Sequence, residues 1–412
     1  MIQKPRGTED IFEQKAKEFF SLEMIIRNLV DLYNYNEIKT PIFEVTELFK
    51  RGVGTETDIV SKEMFSFLDR KNRELTLRPE GTAPTVRAVL ENKLYINEKL
   101  PLKLFYFGNM FRYERPQAGR QRQFNQFGIE VFGPKTFEID SEIICLAVSI
   151  LKTIGLEQHH VHLNYLVSGA ARKQYIIDLK AQLKSLTLCA DCVSRLETNP
   201  LRVLDCKVDN HLFGNIVAMS DYLNEADQQH YQSLKTLLSN IGIKFVEDKL
   251  LVRGLDYYTG FVFEIKDSNN STLLGGGRYD NLVKELGDVD LPAAGFAFGL
   301  ERIILALESL NISLVEENYL DAYIIGLTPK AKHFANILLL MLRSSDLKVD
   351  FDFMDRSLKS AFKQSEKFNA KNIIIIGDNE LKENVVVIKN QITNKEQKVK
   401  IENIVETLRK GF

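Results

Sequence analysis

Leu22, Ile25, Ile26 and Leu29 repeat at three- and four-residue intervals, which predicts a long helix from about Glu9 to Tyr33, with Thr8 or Asp10 as its cap. Strand-like runs follow at 37–42 and 74–77, and a second helix is predicted over 84–93 with Pro84 near its first position. Residues 102–114 and 121–132 alternate and are rich in aromatics; joined by a polar loop, they predict a long β-hairpin. Ser141 reads as the cap of a helix carrying Ile144, Ala147, Ile150 and Leu151. Over 173–245 the apolar residues keep helical spacing and no strand pattern stands out, so a mostly helical insertion is expected. Strands return at 261–265. Gly275-Gly276-Gly277, a short helix near 280–286 and a strand–helix unit from Ala293 to Leu307 follow. After about Asn318 strands (322–327, 348–354, 373–376, 385–388) alternate with helices (331–343, 358–368, 401–408), which predicts a small α/β domain with a mostly parallel sheet.

Composition narrows this picture. Fifty-four basic and 56 acidic side chains leave a net charge of −2, which argues against a protein that coats nucleic acid and permits one that reads it with a local patch. Residues 321–412 carry 16 − 12 = +4, a basic bias that permits an RNA partner. No apolar run approaches the ~18 residues of a membrane span, and the first residues lack a signal-like apolar stretch. Four Cys in 412 residues make no disulfide framework and fit a reducing compartment, so a cytoplasmic protein without a membrane partner is expected.

Candidate chemistry concentrates at the hairpin. By strand parity Arg112 and Glu114 share one face with Phe124, Gln126, Gly128 and Glu130, while Phe111, Tyr113, Phe127, Ile129 and Val131 face the other way. A charged face is what solvent ordinarily receives. A Gly and an aromatic ring among the charges suit a lined pocket, with backbone approach at the Gly and base stacking on the ring. The loop from Arg115 to Arg122 adds three guanidiniums, which suit phosphate or are an ordinary exposed basic loop. Glu80 and Thr82, after a strand and before a helix, either orient a ligand at the helix mouth or cap the helix. Three adjacent Gly at 275–277 exceed what a turn needs and suggest close passage of a ligand. Arg302 near a helix start is out of place beside the positive end of the dipole, and a phosphate would account for it. There is no GxGxxG after a strand and no GxxxxGK[ST], so any ATP is bound by another scheme.

These segments resemble the bacterial type of histidyl-tRNA synthetase, a class II aminoacyl-tRNA synthetase family, nearly end to end. Motif 1 resembles Ile38-Lys39-Thr40-Pro41-Ile42-Phe43-Glu44, motif 2 resembles 111–116 through Arg122-Gln123-Phe124, and motif 3 resembles Gly299-Leu300-Glu301-Arg302. The family's own signatures resemble 251–258 and 275–280, both complete. The resemblance implies an α+β catalytic domain with an antiparallel sheet (1–172 and 246–318), a helical insertion (173–245) and a C-terminal α/β anticodon-binding domain (319–412). It implies a cytoplasmic homodimer that makes histidyl-adenylate from L-histidine and ATP, with Mg²⁺ accompanying ATP, and passes histidine to the 3′ end of tRNA(His). Carried over residue by residue, Arg112 and Arg253 act catalytically near the α-phosphate. Arg302 holds the γ-phosphate, Phe124 stacks on adenine and Glu114 lies near its amino group. Glu130 and Tyr258 contact the substrate imidazole, Tyr257 lines its pocket, and Glu80, Thr82 and Gln126 grip the amino and carboxylate end. Arg115, Gln117 and Arg122 meet the acceptor stem. The chain departs from many relatives at Gln121 and Asn125; parity turns Asn125 to the packed face, and Gln121 bears on loop contacts to tRNA.

Cys189-x-x-Cys192 with Cys206 and His211 mimics zinc spacing. The family's relatives treat this stretch as structural, and no bound metal is expected. His159, His160 and His162 read as surface residues. Competing readings are a regulatory subunit of the first enzyme of histidine biosynthesis, which typically lacks the C-terminal domain, another class II synthetase, and an RNA-binding scaffold that would not need Arg112, Arg253 and Arg302 together.

Overall fold

A computed structural model describes residues 1–54, 57–117, 119–315 and 319–411. Asn318, where the sequence reading ends the catalytic core, Ala118 of the hairpin loop, and Phe412 lie outside them. The chain forms two compact units, Met1–Leu314 and Val315–Phe412.

Among the described residues, the first unit is built on an eight-stranded sheet. In spatial order its strands are Asn36–Glu37, Leu102–Phe111, Gln123–Phe132, Ala293–Gly299, Thr272–Arg278, Thr259–Asp267, His159–Leu166 and Phe245–Glu247. The six central strands pair antiparallel and the two short edge strands parallel. Alternation does the sorting. Phe127, Ile129 and Val131 are buried under the helices Glu13–Leu32 and Phe137–Thr153, together with Phe261, Phe263, Phe296 and Phe298. The intervening residues face the other way and line the site. A three-stranded antiparallel sheet (Phe43–Val45, Glu74–Leu77, Phe65–Leu68) stands beside the large one.

Several local expectations shift. The first helix starts at Glu13 with Phe12 as its cap, not at Thr8 or Asp10. The Thr8 hydroxyl is spent on the Pro5 carbonyl at 2.8 Å, and the Gly7 carbonyl accepts the Arg122 N–H at 2.7 Å, so this segment belongs to the hairpin base. Ser141 lies in the second turn of Phe137–Thr153, whose cap is Thr136. Only Asn36–Glu37 and Phe43–Val45 pair as strands around 37–42, because the Arg78 guanidinium claims the Thr40 carbonyl at 2.9 Å. The three glycines of 275–277 sit within a strand rather than a turn.

Residues 169–240 hold the helices Gly169–Leu183, Ala190–Thr198 and Glu225–Asn240 with short 3₁₀ turns between them. Tyr175, Leu179, Leu196 and Phe213 share a core with Val252, Tyr257 and Tyr258, while Tyr231, Leu234 and Leu238 of Glu225–Asn240 join the core of the large sheet.

The second unit is a five-stranded sheet flanked by helices, in the order Val349–Phe351, Leu320–Gly326, Ala370–Ile376, Val385–Asn390, Glu396–Lys400. It is evenly mixed rather than mostly parallel: two pairings are parallel and two antiparallel. The last strand escaped the sequence reading because Glu396-Gln397-Lys398-Val399-Lys400 buries only Val399.

Arg278 fixes how the large sheet meets its helices. Its guanidinium, 2% exposed, pairs with the fully buried Asp140 and donates to the Pro134 carbonyl at 3.0 Å. Asp140 also takes His230 Nε2 at 2.7 Å, so one carboxylate joins strand Thr272–Arg278 to two helices. Removing one member of a buried pair strands the other charge. Asp140→Ala should therefore cost about 3–5 kcal/mol in urea unfolding; a loss below about 1 kcal/mol, the value of a surface pair, would contradict this role.

Candidate active site

The open face of the large sheet carries a pocket of about 330 Å³. Its floor is a carboxylate. Glu130 is 1% exposed and has no cation beside it; Thr82 Oγ1 donates at 2.8 Å, Tyr106 at 3.3 Å, and Tyr279 donates to its other oxygen. Burial pushes its pKa up to about 8, although the hydroxyls pull it down. Gly295, opposite Glu130 on the next strand, leaves it room, since a side chain there would collide with Oε2. Tyr257 and Tyr258 close one wall with their rings 4.8 Å apart.

Glu80 accepts from the Thr82 and Ala83 N–H groups at 2.7 and 2.8 Å, so it caps the helix Thr82–Glu91 while facing the pocket. The capping reading of this segment holds, and the same carboxylate lines the pocket. Burial raises the Glu80 pKa against the opposing pull of those N–H groups and of Arg112. Gln126 accepts the Gly81 N–H at 3.1 Å and fixes the turn that presents Glu80.

Besides Arg120, three further guanidiniums line the same pocket. Arg112 follows the hairpin strand; its Nε donates to the Pro79 carbonyl at 2.8 Å and its head lies 5.4 Å from the Phe124 ring centre. Arg253 ion-pairs with Glu264, which Thr272 also holds at 3.0 Å. Burial works against its charge, and Glu264, Tyr258 and Asp205 together outweigh it. Arg302, in the first turn of Leu300–Ser309, donates to the Thr272 carbonyl at 3.1 Å. Its pKa is lowered by burial and then by the neighbouring cations Arg120 and Arg112. Arg112 and Arg302 are anchored on backbone carbonyls rather than on carboxylates, which leaves their charge for an anionic ligand.

The structure thus brings Glu80, Thr82, Arg112, Glu114, Phe124, Gln126, Glu130, Arg253, Tyr257, Tyr258 and Arg302 to one pocket. Arg115 and Gln117 stand exposed on the loop, and Arg122 lies 3.8 Å over the Tyr113 ring, away from the pocket lining. Two expectations about glycine change. At Gly275 the space a side chain would need is filled by the Arg253 guanidinium, and at Gly128 by the Tyr106 ring, so protein groups rather than a ligand pass there. Tyr106 and Glu264 line or brace the pocket and were not singled out from sequence; only the strand register shows Glu264 opposite Gly275. Asn125 turns to the packed side, as parity predicts, and its N–H donates to Glu301 at 2.8 Å. Of the histidines, His162 is half-buried against Asp248 at 3.1 Å rather than at the surface.

An antiparallel sheet whose open face gathers arginines from a hairpin, a loop and a helix start is the catalytic core of a class II aminoacyl-tRNA synthetase. The histidyl-tRNA synthetase family profile matches residues 7–186 and 207–303, and an anticodon-binding domain profile matches 321–411. The chain is 47% identical to histidine–tRNA ligase of Mycoplasma mycoides over 99% of its length and all of that protein. It is 46% identical to that of Bacillus cytotoxicus over 97% of each. Apo histidyl-tRNA synthetase of S. aureus superposes with a TM-score of 0.84 at 37% identity, covering 99% of this chain and all of that one. The chain belongs to the histidyl-tRNA synthetase family.

The raised Glu130 pKa has a stability consequence. A carboxyl whose folded pKa lies above its unfolded value of about 4.3 contributes stability that is complete below that value and is lost as pH rises through about 8. Glu130→Gln should therefore melt higher relative to wild type at about pH 9 than at about pH 6. A melting-temperature difference independent of pH would contradict it.

Proposed function

We propose that this chain is an ATP-dependent histidine–tRNA ligase, and that the residues gathered on the sheet have the following roles. The observation that carries the reading is one pocket with a buried, uncompensated carboxylate at its floor and three guanidiniums at its mouth. Imidazole offers two ring nitrogens, and Glu130 with Tyr258 provides partners that an analogue lacking them would leave unmatched. Glu80, Thr82 and Gln126 hold the amino and carboxylate end of histidine, and Tyr257 lines its pocket.

MgATP is the second substrate. Phe124 stacks on adenine, Glu114 meets its amino group, and Arg302 takes the γ-phosphate. The histidine carboxylate attacks the α-phosphorus, the bond to the bridging oxygen breaks, and pyrophosphate leaves. No side-chain nucleophile is required. Arg112 and Arg253 neutralise the charge that builds on the α-phosphate, and their anchors on Pro79 and Glu264 keep them aimed in advance. The 3′-terminal ribose hydroxyl of tRNA(His) then attacks the adenylate carbonyl, and AMP leaves. Arg115, Gln117 and Arg122 meet the acceptor stem, and the unit carrying the anticodon-domain match reads the other end of the tRNA.

The working form is a cytoplasmic homodimer. Phe43, Val45 and Phe67 stand 53, 55 and 44% exposed on one face of the small sheet, an apolar face that a second copy would cover. No helix among the described residues is long and apolar enough to cross a membrane. The catalytic core comprises 1–172 and 246–318, interrupted by the 173–245 insertion.

Pyrophosphate–ATP exchange with each of the common amino acids tests the first half-reaction. Histidine alone should support exchange, and Arg253→Ala should lower it by about 100-fold or more. No exchange with any amino acid, in folded protein, would overturn the reading and favour a regulatory subunit. Glu130→Gln should raise KM for histidine more than about tenfold while moving KM for ATP by less than about twofold; equal changes in both would remove Glu130 from histidine recognition.

A further inference from the structure

The insertion holds a second chemical cluster, which begins at Cys189, well after the hairpin ends at Phe132. Among the described residues, Cys189, Cys192, Cys206 and Asp209 have their ligand atoms within 4.8 Å of one another. Three of the four are buried: Cys192 is 0%, Cys206 7% and Asp209 4% exposed. Cys189 caps the helix Ala190–Thr198 and Cys192 sits in its first turn. Cys206 and Asp209 come from the turn that follows Pro200–Val203. The sequence is thus two knuckles, Cys-x-x-Cys and Cys-x-x-Asp, folded face to face. His211, which completes the zinc-like spacing in the sequence, is exposed with Nδ1 at 2.9 Å from the Val208 carbonyl. Asp209 takes the fourth place instead.

Distance separates a metal from a disulfide. The Cys189 and Cys206 sulfurs lie 3.9 Å apart. A tetrahedron with Zn–S bonds of about 2.3 Å has an edge of about 3.8 Å, whereas a disulfide needs about 2.05 Å. All four cysteines of the chain are free. The surrounding N–H groups are also set as around a thiolate site. Asp209 N–H points at Cys206 Sγ at 3.4 Å, and Cys189 N–H holds Asp209 Oδ2 at 3.0 Å, turning its carboxylate toward the sulfurs. Two buried sulfurs, a half-buried one and a buried carboxylate make poor packing on their own; soft thiolates in a closed tetrahedral set select zinc.

We propose that Cys189, Cys192, Cys206 and Asp209 form a structural zinc site that clasps the insertion. The family profile skips 187–206, so the three cysteines fall in a stretch that it leaves free to differ. The clasp encloses the segment that leans on the catalytic side. Asn199 donates to Asp256 at 2.9 Å, and Arg202 pairs with Asp58 at 3.0 Å. Between Leu183 and Glu225 regular structure is one nine-residue helix and short 3₁₀ turns, so a cross-link there replaces hydrogen bonds that a longer helix would supply.

The test uses the full chain expressed with added zinc and purified under reducing agent. Elemental analysis should find about one zinc per chain, released in step with titration of the thiols by a mercurial. Cobalt in its place should give a sulfur-to-cobalt charge-transfer band and the visible bands of a tetrahedral ion. Cys206→Ser should lose the metal, His211→Ala should keep it, and Asp209→Asn should bind it more weakly, since the amide is a poorer ligand. Chelation should strip hydrogen-exchange protection from 190–209 while the large sheet keeps its own. Three results would each overturn the proposal: wild-type protein without zinc and with all its thiols titrating, a Cys189–Cys206 disulfide found by mass spectrometry, or zinc retained by Cys206→Ser. The wild-type measurements decide the matter even where a variant fails to fold.

Discussion

A carboxylate held on the floor of a pocket by hydroxyl groups alone sets the terms for the rest of the first unit. Glu130 faces no cation, so its charge is tolerable only while Thr82, Tyr106 and Tyr279 all donate to it. Each donor comes from a different element: a helix start, a neighbouring strand and the end of the strand Thr272–Arg278. Their agreement on one point requires the register of the sheet to be right across several strands, and a one-residue slip would turn Glu130 into the apolar core. The close-packed phenylalanines on the opposite face supply that register, because they fit only one way. Floor and core are two faces of the same constraint.

The mouth of the pocket answers a different requirement. Arg120 and Arg112 crowd Arg302, and the fold keeps the arginines in place by giving each a fixed anchor: a carbonyl for Arg112, a carboxylate for Arg253, a carbonyl for Arg302. That tension is relieved when a polyanion arrives, so part of the ligand's binding energy is present beforehand as cation crowding. The anchors also remove the reorganisation that flexible arginines would need at the moment of reaction.

Much of this was legible in the chain, for reasons of periodicity. The parity of the hairpin separated pocket from core residues correctly within the ladder, which runs from Leu102 opposite Phe132 to Phe111 opposite Gln123 without a bulge; Tyr113, placed by parity on the packed side, lies beyond the ladder and is exposed. Helix starts were read less well, since the cap at Phe12 uses no side-chain oxygen and the Thr8 hydroxyl was taken by a turn. Residues defined by adjacency rather than by pattern stayed hidden. Tyr106 reads as a strand aromatic until Gly128 is seen beneath it, and Glu264 reads as a solvent charge until Arg253 is laid across Gly275. The mixed character of the second sheet was missed because its last strand has a single buried residue to announce it.

The Tyr106 ring occupies the space that side chains at both Gly81 and Gly128 would need, while its hydroxyl reaches Glu130. Three positions on three separate elements are thereby tied into one unit of inheritance. A larger residue at 81 or 128 is admissible only after the ring is gone, and losing the ring first removes a donor from Glu130. No single-step path leads out of the arrangement without passing through a damaged intermediate, so the trio can drift only by a concerted change or not at all.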